Sequence, residues 1–357
     1  MSGSRGTGPD VLMRPARDPA GWTAGEMAAT QDWLHPLTDR ERAEVHDAVE
    51  AVMARDLDFL AIDRDAFPLP ELGPKLAEIR AELLWGRGIV LFRGLDVDLA
   101  DRHRAAVAFW GIAMHLGDEV LSQNAKGHVL GHVRDIGQTR RNVLQRGPYS
   151  REAMPYHTDC CDLAGLYCLH PARRGGESTV ISSVAVYNEL LERRPDLVEA
   201  LSRPIYRDRR GEVPPGMDEW YAIPVFNVHE GWFSATIEPT YIGSAERFPE
   251  VPRKSDLQRE AIAEVQRICE AQHFSMGFRP GDIQFINSHV TFHTRSAYDD
   301  HPEPERKRHL FRIWLKCFDG RPLPHWFYDR HGPRGAVDRP GGIVGAETVP
   351  SAPLEAA

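Results

Sequence analysis

Cysteine is scarce in this chain of 357 residues: there are five, an odd number, three of them at Cys160, Cys161 and Cys168. That excludes a disulfide framework, and the cluster lacks the paired spacing of a zinc site. The cysteines read as small buried hydrophobes in a reducing, cytoplasmic compartment. An excess of positive charge is missing too. Lys+Arg total 43 against Asp+Glu 52, a net charge of −9, so no phosphate-tracking surface and no nucleic-acid partner are expected. No apolar run approaches the roughly 18 residues of a membrane span, and the opening MSGSRGTGPDVLMRP lacks the apolar core of a signal peptide. A membrane partner is therefore not expected. Nor is there a G-x-G-x-x-G turn between an early strand and a helix, a P-loop, an internal repeat or a long linker. What remains is 42% hydrophobic and 27% charged, the mix of a globular protein.

Residues 1–20 and 331–357 are rich in Gly, Pro and polar residues without apolar period, and are expected to be loose tails, the second disordered. Residues 21–330 read as a single domain. Its first part alternates helical spacing (41–57, 75–86, 99–117) with a short apolar strand signal within 86–96. From about 120 short β-rich pieces dominate: HVLGHVRDIG, GLYCLHP, STVISSV, WYAIPVFNVH, GWFSATIEP, DIQFINSHVTFHTR and HLFRIWLKCF. Two helical stretches interrupt them, VAVYNELLERRPDLVEALS and DLQREAIAEVQRICEAQH. The pattern predicts a mainly β fold with flanking helices (α+β), a sandwich, barrel or jelly roll. Residues 206–245 form an insertion, and 206–220, with many charges and Gly211, Pro214, Pro215 and Gly216, reads as a surface loop able to act as a lid.

The chemistry is concentrated in Met154-Pro155-Tyr156-His157-Thr158-Asp159. On an extended strand, alternate side chains share a face, so His157 and Asp159 project together and can supply two corners of a metal site. A third ligand has to come from a distant strand. His293, in NSHVTFHTR (287–295), is the candidate, with His289 as its rival. Two histidines and a carboxylate on one octahedral face leave positions open for oxygen and an organic co-substrate. Downstream, RHLFRIWL (308–315) places Arg308 and Arg312 on one face of a mostly apolar strand, with Phe311, Ile313 and Leu315 on the other. Such a pair needs an anionic partner, which a dicarboxylate would supply through a charge-assisted pair.

Taken in order, HTD (157–159), GGES (175–178), NSHVTFHTR (287–295) and RHLFRIWL (308–315) resemble the taurine dioxygenase-like (TauD/TfdA) family of Fe(II)- and 2-oxoglutarate-dependent oxygenases. The resemblance implies a double-stranded β-helix (jelly-roll, cupin-like) core. It implies Fe(II) held by His157, Asp159 and His293, with 2-oxoglutarate and O2 as co-substrates. It implies that Arg308 or Arg312 grips the distal carboxylate of 2-oxoglutarate, helped by the Ser178 hydroxyl or, as the neighbouring alternative, Thr179. Gly175 and Gly176 read as a turn. A block from Leu121 to Asp135 resembles family stretches beside the active-site opening, which makes Gln123, Asn124 and Arg134 candidate substrate contacts.

The expected reaction is hydroxylation of an unactivated C–H bond, with succinate and CO2 released. The substrate is expected to be a small polar or amino-acid-derived metabolite, including natural-product intermediates. Two other readings stand beside it: a zinc-dependent hydrolase on the same His/Asp/His site, and a non-catalytic binding protein on the same barrel. The oligomeric state is left open.

Overall fold

A computed structural model describes residues 13–137, 149–332, 335–345 and 348–355. Its longest apolar strands pair into one sheet. Leu34–Pro36, Ile89–Arg93, Ile283–Asn287, Leu163–His170, His309–Lys316 and Glu119–Val120 follow one another across it, and Leu130–Val133 also pairs with His309–Lys316. The first pair is parallel and the others are antiparallel. A second, three-stranded antiparallel sheet is built from Phe274–Met276, Ser178–Ser182 and Thr291–Arg295.

Strand alternation decides what each face touches. Phe311, Ile313 and Leu315 join Phe92, Tyr167 and Phe285 in the main core, with apolar residues of the helices Asp39–Ala54, Leu72–Trp85 and Arg102–Leu116. The opposite face of the large sheet puts Ile89, Ala164, Ile286 and Trp314 against Val180 and Met276 of the small one. Ile181 and Phe292, on the far side of the small sheet, pack with Leu190, Leu197 and Val265 from the helices Ser183–Arg193, Pro195–Leu201 and Asp256–Gln272. The order of layers is helix, sheet, sheet, helix, and the space between the two sheets is where polar side chains collect.

The helices keep close to the periods that announced them. A capping box on Thr38 and Glu41 starts one, and the Asp101 carboxylate accepts from the His103 and Arg104 amides at the start of another, satisfying donors that have no partner within the helix. The stretch VAVYNELLERRPDLVEALS is two helices rather than one. Pro195 removes a donor and pushes Arg194 out of helical geometry (φ −147°, ψ 70°).

Three expectations need correction. Residues 331–357 are not a disordered tail in their described part. Arg339 is 5% exposed and its guanidinium sits on Asp162 at 2.5 and 3.0 Å, the Pro353 carbonyl lies 2.8 Å from a His132 ring nitrogen, and Ser351 bridges to His128. A buried ion pair and backbone pairing hold this segment, and neither leaves an apolar period in the sequence. At the other end, residues 1–12 lie outside the described residues, but Asp18 pairs with Arg321 at 2.5 Å and Ala20 is buried. The stretch 206–220 is not simply a surface loop. Ile205–Asp208 pairs with Trp220–Ile223 in a hairpin, and Arg207 and Asp208 are fully buried. Charged residues in a short strand had the look of a solvated segment. Among the described residues, no helix is long and apolar enough to cross a membrane.

Candidate active site

His157 and His293 meet because their backbones pair. Each amide donates to the other's carbonyl at 3.0 Å in an antiparallel bridge, and the imidazole centroids come within 4.4 Å. His293 stands opposite Val180 in the small sheet and so faces the space between the sheets. Asp159, two residues past His157, projects to the same place. The ligand atoms of His157, Asp159 and His293 all lie within 4.8 Å of one another.

The surroundings fit these groups to a divalent cation. His157 Nδ1 lies 3.0 Å from the Pro155 carbonyl; donating there leaves Nε2 with its lone pair. Burial pushes the pKa of His157 down, and burial together with His157 pushes His293 down to about 3. Burial pushes the Asp159 carboxyl up, but Arg312, His293 and His157 hold it below its usual value, and the Trp314 indole donates to Oδ2 at 2.9 Å. Two neutral imidazoles and one carboxylate are the protonation states that bind metal. His289, the rival ligand, is committed elsewhere: its Nε2 is 2.8 Å from Asp162 Oδ1.

The triad opens on a cavity that Ser178, Gln284, Arg295, Arg308 and Arg312 also line. Arg308 and Arg312 share its wall as strand alternation predicts, yet their surroundings differ. Arg308 is 3% exposed, stacks 5.2 Å over the Tyr298 ring, and has a buried Nη1 with no hydrogen-bond partner. Gly176 makes room for it, because a Cβ there would come within 3.0 Å of Arg308 Nε; at φ +74° it is more than a turn residue. Arg312 is already engaged. Its Nε donates to Gln123 Oε1 at 2.6 Å and its Nη1 is 3.6 Å from Asp159 Oδ1. Ser178 lines the cavity and donates to Gln284 at 3.2 Å, whereas the Thr179 hydroxyl pairs with Tyr156 at 3.1 Å.

The three residues expected to touch substrate do not line this cavity. Gln123 is buried behind Arg312, and its amide also donates to the Val129 and Arg312 carbonyls. Asn124 accepts from the Lys126 and His128 amides in a turn. Arg134 reaches outward to the Pro304 carbonyl at 2.8 Å. A polar residue in a strand-rich block can point to either side, and here the hydrogen bonds of the turn and the strand edge claim all three. Conversely, Gln284 and Trp314 were passed over. Gln284 had a signal: it is the one polar side chain on the inward face of Ile283–Asn287. Trp314 falls on the same face as the two arginines, but its apolar character gave no sign that its indole would donate to Asp159.

A family model described as "Taurine catabolism dioxygenase TauD, TfdA family" matches residues 54–314. The chain is 31% identical to the FR-33289 synthase of Streptomyces rubellomurinus over 88% of its own length and 94% of that protein. It is 29% identical to the taurine hydroxylase-like protein SAT17 of Stachybotrys chartarum over 83% of this chain and 78% of that one. Among solved structures, an asparagine oxygenase in complex with Fe(II), 3-hydroxyasparagine and succinate superposes with a TM-score of 0.64 at 17% identity, covering 88% of this chain and all of that one. The non-heme iron oxygenase OrfP with Fe and α-ketoglutaric acid gives a TM-score of 0.58 at 15% identity, covering 79% and 94%. The chain belongs to the TauD/TfdA family, and it is an Fe(II)- and 2-oxoglutarate-dependent oxygenase.

Proposed function

We propose that this oxygenase hydroxylates an unactivated C–H bond of a small polar or amino-acid-derived metabolite on a double-stranded β-helix core. His157, Asp159 and His293 hold Fe(II), and Arg308 with Ser178 holds the distal carboxylate of 2-oxoglutarate. The observation that carries this reading is one cavity that gathers the three metal-ligand side chains, the unpartnered Nη1 of Arg308 and the Ser178 hydroxyl. A buried guanidinium nitrogen without a partner is costly unless an anion arrives, and a hydrolytic zinc site gives Arg308 none. When bound, Fe(II) with 2-oxoglutarate and O2 supplies the oxidising power, and succinate and CO2 leave as by-products.

The chain's own residues position these partners. Pro155 fixes the His157 tautomer, and Trp314 and Arg312 fix the Asp159 carboxylate, with Gln123 bracing Arg312 from behind. Leu166, Ile286 and Met154 close the cavity walls and limit water. Anaerobic addition of Fe(II) and then 2-oxoglutarate tests the reading. A weak visible charge-transfer band, followed by succinate release on admitting air with a metabolite library, is the expected result. Zinc binding without band or succinate would sink it. The relatives' names and the hydroxyasparagine of one structural neighbour favour a small-molecule substrate.

A further inference from the structure

Asp159 also borders a second, small hollow lined by Cys160, Thr236, Ser288, Arg330 and His331. Those last two residues line a further cleft with Arg209, Glu212, Tyr221 and Tyr241. Arg330 and His331 thus stand between a hollow that Asp159 lines and a group of arginines in the 205–223 hairpin and at the end of the helix His325–Asp329.

The charge there is unbalanced. Arg207 is fully buried 3.1 Å from Glu238, and Arg330 approaches the same carboxylate at 3.5 Å. One glutamate thus serves two guanidiniums. Arg209 is 6% exposed and, among the described residues, has no carboxylate partner. Its Nε and Nη1 donate to the Asp218 and Arg330 carbonyls at 2.9 and 2.6 Å, and its Nη2 is buried with nothing to donate to. Tyr221 is 9% exposed, its hydroxyl is buried and unpartnered, and Arg209 and Arg330 each lie 5.0 Å from its ring centroid. Buried donors of this kind are rare without a ligand or ordered water, and grouped guanidiniums suit an oxyanion.

We propose that this cleft binds a small oxyanion (a carboxylate, sulfonate, phosphonate or phosphate) through Arg209, Arg330 and the Tyr221 hydroxyl. The site is separate from the Arg308 carboxylate site and gives the hairpin a binding role.

The test is calorimetric titration of inorganic phosphate, sulfate and acetate into the anaerobic chain loaded with Fe(II) and saturating 2-oxoglutarate, so that Arg308 is already engaged. At least one of the three anions binds at a single saturable site, and their order of affinity distinguishes the oxyanions. Arg330→Gln and Arg209→Gln weaken that binding tenfold or more. Tyr221→Phe, which removes only an unpartnered hydroxyl, weakens it several-fold and decides the matter if the arginine variants do not fold. No saturable binding of any anion to the parent, or parent-like affinity in the variants that fold, overturns the proposal. The charge-transfer band, read in the same samples, separates the two failures: its absence from the parent sinks the iron reading, and its presence without anion binding sinks the subsite alone.

Discussion

Two hollows of the chain are built by different means. The cavity that holds His157, His293, Arg308 and Arg312 is walled by strands, so each side chain is aimed by alternation and register. The cleft beyond Arg330 is walled by a hairpin, a helix end and the C-terminal segment. Its cations come together only through tertiary packing. The first arrangement can be inferred from local spacing. The second becomes visible once the chain is folded, when two guanidiniums are found on one carboxylate and Arg209 is found buried with an unpartnered nitrogen.

The sharpest way to break this contrast is to remove a ligand from the strand-built side. His157→Ala, Asp159→Ala or His293→Ala each abolishes succinate formation, with near-ultraviolet circular dichroism unchanged. His289→Ala, which loses a bond to Asp162 rather than to metal, keeps a measurable rate. An active His293→Ala alongside an inactive His289→Ala would move the third ligand.

Next in size is the division of labour between the two arginines. Loss of a bidentate charge-assisted contact costs roughly 2–4 kcal/mol, or about 30- to 1000-fold in affinity. Arg308→Ala raises the 2-oxoglutarate concentration for half-maximal turnover by that factor. Arg312→Ala raises it less, because its Nε is already given to Gln123 and its nearest anion is Asp159. The reverse ranking would make Arg312 the anchor.

Smaller again is the support of the metal carboxylate. Trp314→Phe keeps the ring in the space between the sheets but deletes the donor to Asp159 Oδ2. Removing a partner of a metal ligand costs about 10- to 100-fold in metal affinity. Competition of Fe(II) against a coloured chelator measures it, and parent-like affinity would mean that Arg312 alone holds the carboxylate.

Much of the strand-built side was legible beforehand. HTD on an extended segment and arginines four apart on a strand are period-two signals, and the structure puts those side chains where the period says. The choice of Ser178 over Thr179 to line the cavity needed register, because adjacent residues on a strand face opposite ways and spacing cannot say which faces in. Gln123 was noticed for the right polarity and given the wrong partner: sequence shows that a buried amide needs bonds, not that Arg312 and two carbonyls supply them. The hairpin with Arg207 and Asp208 and the segment with Arg339 were misread for one shared reason. Composition treats charge as a mark of solvent, and here each of these charges is buried against an opposite one.

That last point carries the smallest predicted effect. Asp162, 1% exposed on its side chain, is gripped by Arg339 and His289 and donated to by the Cys317 amide. Burial raises its pKa, yet the bonds from His289 and Arg339 bring it down to about 2 from 3.8. A carboxyl depressed on folding stabilises the native state above its unfolded pKa and loses that contribution as pH falls through the folded value. The window therefore runs from about pH 4 down to about pH 2, and a shift of this size is worth about 2 kcal/mol. Arg339→Met removes the main cationic partner. In the metal-free chain, where His289 still holds Asp162, the difference in urea unfolding free energy between parent and variant shrinks by part of that amount across the window and is flat above it. A difference that stays constant from pH 6 to pH 2 would mean that Arg339 secures the C-terminal segment by packing alone, with its charge irrelevant to stability.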